Sequence, residues 1–345
     1  MDTVNLALDH ILNLVSIPSP TGYTEGAIQY CEKVLEGIEV HFVRTLKGGL
    51  SIIVPGESER TRVLAAHVDT LGAMVKQVLP SGRLKITPIG GFRMQVIEGE
   101  YCKVHTLGGN IYSGTIVAHK ASTHVYREAE ERTEETIEVR LDEVVSNEGD
   151  IEALGIRVGD IVSFDARPVL TPSGFLKSRH LDDKASVGIL LALLQNIKEE
   201  KWALPYSLQI LISTDEEIGY GGNSNISAHA FEYLAVDMGA IGDGLSTTEY
   251  VVSICAKDSS GPYHYGLRKQ LVELAEANEV KHAIDVFPYY ASDASAARRA
   301  GYDLATALIG PGIDSSHAYE RTHRDSIDAT LQLLKLYLSS SSVCE

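Results

Sequence analysis

Two histidines and six carboxylates recur along the chain in clusters that suit the binding of divalent cations. They stand in Ala66-His67-Val68-Asp69, in Leu181-Asp182-Asp183-Lys184, in Thr214-Asp215-Glu216-Glu217-Ile218-Gly219, at Asp237 after Ala235-Val236, and at His317 in Ser315-Ser316-His317-Ala318-Tyr319-Glu320. Imidazole and carboxylate donors without thiolates form a mixed nitrogen and oxygen set, suited to zinc, cobalt or manganese. So many acids cannot gather at one place unless cations or protons neutralise them.

Each cluster alone has an ordinary reading. Asp is a common helix N-cap, so capping accounts for one of Asp182 and Asp183 but not for both. Glu216-Glu217 could be a solvated turn, Asp237 a strand terminator, and His317 a loop histidine with His323 as its rival. Position supplies the further argument. Residues i and i+2 of a strand point the same way, so Asp69 can orient the His67 imidazole. Neighbours in an extended chain point apart, so one of Glu216 and Glu217 can bind a cation while the other faces the reacting water. The remaining histidines, His10, His41, His105, His119, His124, His180, His229, His264 and His282, lack a strand-end position in acidic company and read as structural or exposed.

The elements that must position these residues follow from periodicity. Apolar residues at helical spacing predict helices over 3–17, 25–37, 183–200, 264–279, 293–300 and 325–338. Strands are predicted near 39–45, 50–54 and 62–66, then at 207–213, 233–236, 251–255 and 303–308. Between about 71 and 164 the texture changes to short β-rich pieces separated by glycines, with a charged loop near 127–136, which reads as a small all-β barrel. The fold class expected is therefore α/β, with a mixed, mostly parallel sheet flanked by helices and an inserted β-barrel. Residues 1–70 and 165–345 would form one domain and 71–164 the other. In such a sheet the C-terminal strand ends share one edge, where ligands bind, and the candidate clusters lie at or just beyond those ends. Ser339 to Ser342 reads as a frayed tail.

The chain has 345 residues, 44% hydrophobic and 22% charged, with a formal net charge of -17. That surface would repel phosphate backbones and anionic lipid, which disfavours nucleic-acid and membrane roles. The four cysteines, Cys31, Cys102, Cys255 and Cys344, are widely spaced, as in reduced cytosolic proteins. The N-terminus has no basic region leading into an apolar run, and the apolar stretch 185–197 is too short to span a bilayer. A cytoplasmic location is expected.

The order H-x-D, D-D, E-E, D, H resembles that of the tetrahedral-shell aminopeptidases, metallopeptidase family 42 of clan MH. The likeness runs over the whole chain, from Ser19-Pro20-Thr21-Gly22 through the clusters above to Ser292-Asp293-Ala294, and includes the inserted domain between His67 and the Asp pair. Related peptidases of the clan place their extra domain later. The resemblance implies a zinc-peptidase core with a PDZ-like barrel, and two divalent metal ions per subunit, zinc first, with cobalt or manganese as alternatives. It implies His67 and Asp237 on one metal, Glu217 and His317 on the other, Asp182 bridging, Glu216 as general base and Asp69 as the residue orienting His67. The interval from His317 to Glu320 is one residue shorter than in many relatives, so His323 stays its rival. The implied activity is removal of N-terminal residues from short peptides, by subunits that pair through the barrel and assemble into hollow dodecamers. Three alternatives stand beside it: a metal-dependent deacylase or N-acyl amino acid hydrolase on the same site, a glucanase using two metal-free carboxylates, and a non-catalytic assembly protein.

Overall fold

The computed structural model describes residues 2–343. Its centre is a ten-stranded sheet ordered Phe42–Arg44, Leu50–Val54, Tyr206–Ser213, Ser58–His67, Ala230–Val236, Ala305–Ile313, Val252–Asp258, Gly261–Pro262, with Gly239–Ala240 and His282–Val286 pairing at its side. The four strands in the middle, from Tyr206–Ser213 to Ala305–Ile313, run parallel to one another. They read as nearly unbroken apolar runs because helices cover both faces. This is the α/β class expected from the sequence.

The helix Leu181–Glu200 lies against the sheet and is buried over almost its whole length. It packs on the first helix, Thr3–Val15, whose apolar stripe comprises Val4, Ala7, Leu8, Ile11, Leu14 and Val15. The last helix, Arg324–Ser339, closes the same layer. A buried ion pair ties it to the sheet: Arg62 Nε lies 2.8 Å from Glu232 Oε2, and Arg62 Nη1 donates to the carbonyl of Tyr337 at 2.6 Å.

Between Leu71 and Asp165 the chain leaves the sheet and returns to it. Six strands, Gly72–Val78, Leu84–Ile89, Ile137–Leu141, Ile111–Ala118, Tyr101–His105 and Ile161–Phe164, close into a barrel with its own core, including Val75, Ile86, Val104, Ile116 and Val139.

Several elements differ from the sequence reading. The strand expected over 39–45 covers only Phe42–Arg44. The helix Glu148–Ala153 has one buried residue, Ile151, so no periodicity marked it. A three-stranded sheet of Val169–Leu170, Phe175–Ser178 and Glu320–His323 joins segments too short to show a pattern. The Ser339–Ser342 segment is held rather than frayed: Ser342 Oγ donates to Glu232 Oε1 at 2.5 Å and Gln270 Nε2 to the carbonyl of Ser341 at 2.6 Å. Cys31, Cys102 and Cys255 are buried free thiols, and Cys344 lies outside the described residues.

Candidate active site

Each of the four parallel strands delivers candidate residues at its C-terminal end. His67 is the last residue of Ser58–His67, and Ser213, its register partner, leads into Glu216 and Glu217. Asp237 follows Ala230–Val236. His317 sits in the loop after Ala305–Ile313. Asp182 and Asp183 open the buried helix with non-helical dihedrals, ahead of its regular turns.

Hydrogen bonds orient both imidazoles. His67 Nδ1 lies 2.9 Å from the backbone carbonyl of Asp69, and His317 Nδ1 lies 2.5 Å from that of Gly91. A carbonyl only accepts, so each Nδ1 carries a proton and each Nε2 is turned toward the acids, with a lone pair for a cation when the ring is neutral. The two Nε2 atoms face the two oxygens of one carboxylate. His67 Nε2 is 3.4 Å from Asp182 Oδ1, and His317 Nε2 is 3.4 Å from Asp182 Oδ2. His317 Nε2 also lies 3.6 Å from Glu217 Oε2, and His67 Nε2 lies 3.7 Å from Glu216 Oε2. One donor atom each from His67, Asp182 and Asp237 falls within 4.8 Å of the others.

Asp69 does more than the sequence suggested. The contact to the His67 ring is its backbone carbonyl at 2.9 Å, with carboxylate Oδ1 farther away at 3.4 Å. The carboxylate instead accepts the backbone amides of Glu216 and Glu217, each at 3.2 Å, and the Thr21 hydroxyl at 2.7 Å. Asp237 is set by close backbone approach, because a Cβ on Gly310 would fall 1.5 Å from its carbonyl oxygen.

The rival, His323, lies elsewhere. Its Nε2 donates to the carbonyl of Ser173 at 2.9 Å and its Nδ1 accepts the amide of Asp325 at 3.1 Å, capping the last helix.

Charge in the site is unbalanced. Burial, followed by repulsion from Asp182, pushes Asp237 up to about 7. Burial pushes Glu217 up to about 8 and holds Glu216 well above the usual carboxylate range. Burial lowers His317 but the facing Asp182 carboxylate more than offsets it, raising the imidazole to about 11. Such a set is held together either by protons or by cations. The donors fit divalent cations. Tetrahedral coordination at about 2.1 Å separates neighbouring donor atoms by about 3.4 Å, which is the spacing between Asp182 and both imidazoles.

Two contributors, Glu320 and Gly91, carried no usable sequence signal. Glu320 accepts the amides of Asp182 at 3.2 Å and of His317 at 3.1 Å. Asp183 Oδ2 accepts the His67 amide at 3.2 Å. The barrel supplies Gly91, whose backbone carbonyl no residue type announces. The cluster opens into a cavity of about 870 Å³. Acids line its floor, and Met238, Ile241, Leu245, Phe287 and Ala296 its apolar wall.

Known proteins resemble this chain in sequence and in fold. Residues 48–333 match the family model described as M42 glutamyl aminopeptidase. The Bacillus subtilis (strain 168) protein YhfE is 57% identical over 346 residues, covering 99% of this chain and 100% of its own. An aminopeptidase from the archaeon Desulfurococcus kamchatkensis superposes with a TM-score of 0.86 at 20% identity, over 98% of this chain and 96% of its own. The Pyrococcus horikoshii TET1 peptidase, described as able to assemble into a tetrahedron or a large octahedral shell, gives 0.83 at 19% identity, over 97% and 100%.

Proposed function

The chain belongs to the M42 glutamyl aminopeptidase family, and from that premise we propose that it is a dinuclear metallo-aminopeptidase removing N-terminal residues from short peptides. One observation carries the dinuclear reading: the two oxygens of Asp182 face the Nε2 atoms of two different imidazoles at the same 3.4 Å. On this reading His67 and Asp237 would hold one cation, Glu217 and His317 would hold the other, and Asp182 would serve both.

Bound cations would supply Lewis acidity toward the scissile carbonyl and a nucleophile at neutral pH. Glu216 takes the proton from the attacking water on its carboxylate and delivers it to the departing amine. Its placement supports this role: it lines the cavity, and Asp69 fixes its backbone. Cationic charge beside it would draw its raised pKa down into the range where it is ionised and basic. The remaining acid lining the cavity, Asp293, offers the free α-amine of the substrate an ionic partner, which favours exopeptidase action. The apolar wall is where the first side chain of the substrate would lie.

We divide the chain into a catalytic domain, residues 1–70 and 165–345, and a barrel domain, residues 71–164, that mediates self-association into dimers and a tetrahedral dodecamer. The assembly of a related peptidase into shells supports that part. Among the described residues no helix is long and apolar enough to cross a membrane, and the buried free thiols suit a cytoplasmic location. Zinc suits the donor set best, with cobalt or manganese next. The family match favours peptides over N-acyl amino acids. The test is a peptide-library cleavage assay on chelated protein reconstituted separately with zinc, cobalt and manganese, with N-acyl amino acids alongside. Cleavage of acylated substrates alone would overturn the reading.

A further inference from the structure

The loop carrying His317 is fastened to the inserted barrel as well as to its own domain. Ser315 and His317 both take left-handed backbone conformations, with φ of 58° and 64°. Residues other than glycine hold such conformations only where their surroundings impose them. The restraints come from three sides. His317 Nδ1 donates to the carbonyl of Gly91 at 2.5 Å, and the His317 amide donates to Glu320 Oε1 at 3.1 Å. The Tyr319 hydroxyl donates to the carbonyl of Arg167 at 2.8 Å, and the Arg167 guanidinium lies 4.5 Å from the Tyr319 ring centroid. Arg179 provides the third restraint.

Arg179 is 2% exposed. One terminal nitrogen, Nη1, donates to the carbonyl of Ala318, the residue after His317, at 3.2 Å. The other, Nη2, donates to the carbonyl of Val96 and pairs with Glu100 Oε1 at 3.0 Å. Glu100 also pairs with Arg167 at 2.6 Å. Gly91, Val96 and Glu100 all lie between the barrel strands Leu84–Ile89 and Tyr101–His105. The planar fork of a guanidinium can hold two partners in fixed directions, which an ammonium cannot.

We propose that Arg179 is a positioning residue that clamps the barrel segment 91–100 against the 315–319 loop and so sets His317 over Asp182 and Glu217. Docking of the barrel and cation affinity on the His317 side are then two views of one equilibrium and rise or fall together. This rests on the dinuclear reading above.

The test compares metal-free wild type with Arg179→Lys, by cobalt(II) titration and by amide hydrogen exchange. Wild type is expected to take two cobalt ions per chain. In Arg179→Lys the ion on the His67 side keeps its affinity, while the second binds about 10-fold more weakly or worse. Exchange over 315–320 in the metal-free variant becomes faster, and exchange in Ser58–His67 does not change. Equal weakening of both ions, or unchanged exchange over 315–320, overturns the proposal. Fewer than two ions on wild type would refute the dinuclear reading alone, since exchange in metal-free protein still decides the clamp. If Arg179→Lys does not fold, Glu100→Gln, which leaves the guanidinium in place without its charge partner, is judged by the same exchange and titration criteria.

Discussion

The backbone amide of Glu216 donates to Oδ1 of Asp69 at 3.2 Å, so a carboxylate buried behind His67 fixes the residue assigned as general base. The Glu217 amide donates to Oδ2 of the same group, also at 3.2 Å. Asp69→Asn would turn an amide NH₂ toward one of these donors. The expected result is a loss of about 10- to 100-fold in kcat/KM with weaker metal binding, as for other groups that orient ligands. Steady-state kinetics and metal titration check this, and wild-type values for both would remove Asp69 from the site.

Glu216→Gln keeps the shape and loses the proton acceptor. Two cations per chain should remain bound, while kcat falls by about 10²- to 10⁴-fold, the range for general-base catalysis. Elemental analysis and peptide turnover measure the two halves separately. Undiminished turnover would assign the base elsewhere.

His317 and His323 are expected to behave differently. His317→Ala should lose one cation and nearly all activity. His323→Ala should keep both cations and lose about 0.5–2 kcal/mol of stability, because it removes a helix cap. Metal stoichiometry and denaturant midpoints separate the two; the reverse pattern would restore His323 as the ligand.

The Arg62–Glu232 pair, 1% and 0% exposed, should behave as a buried ion pair does when broken. Arg62→Met strands the Glu232 carboxylate and is expected to cost about 3–5 kcal/mol. Adding Glu232→Gln should recover much of that. Urea unfolding of the two variants measures it, and a neutral Arg62→Met would show that the carboxylate finds water.

Burial, with a smaller contribution from Lys103, lowers His105 to about 4. An unfolded histidine titrates near 6.5. Between these values the unfolded chain takes a proton that the folded chain refuses, so stability falls as pH drops from about 6.5 toward 4. His105→Gln removes this component. Its stability curve should be flatter than that of wild type over that window, by up to one proton. Parallel curves would place the imidazole in water.

Much of the candidate site was legible because it is built at strand ends. The apolar runs before His67, Glu216 and Asp237 stop abruptly at residues that do not belong in a core, and parallel pairing places those stops side by side. Asp182-Asp183 was legible for the opposite reason, since two acids exceed what one helix start needs. His317 could not be told from His323 by sequence, because the distinction is which histidine the tertiary fold turns toward Asp182. Glu320 was missed because both amides it accepts come from distant or irregular chain. The Gly91 contact was missed because it is made by a backbone carbonyl. The barrel was legible through its glycine-separated β segments, whereas the restraints on Ser340 to Ser342 depend on Arg62, Glu232 and Gln270, remote in sequence.

The most direct measurement is anomalous diffraction from crystals grown with zinc, recorded at the zinc edge. Two peaks per chain are expected, both within bonding distance of Asp182, one also beside His67 and Asp237 and the other beside Glu217 and His317. A single peak, or a pair of which only one touches Asp182, would contradict it.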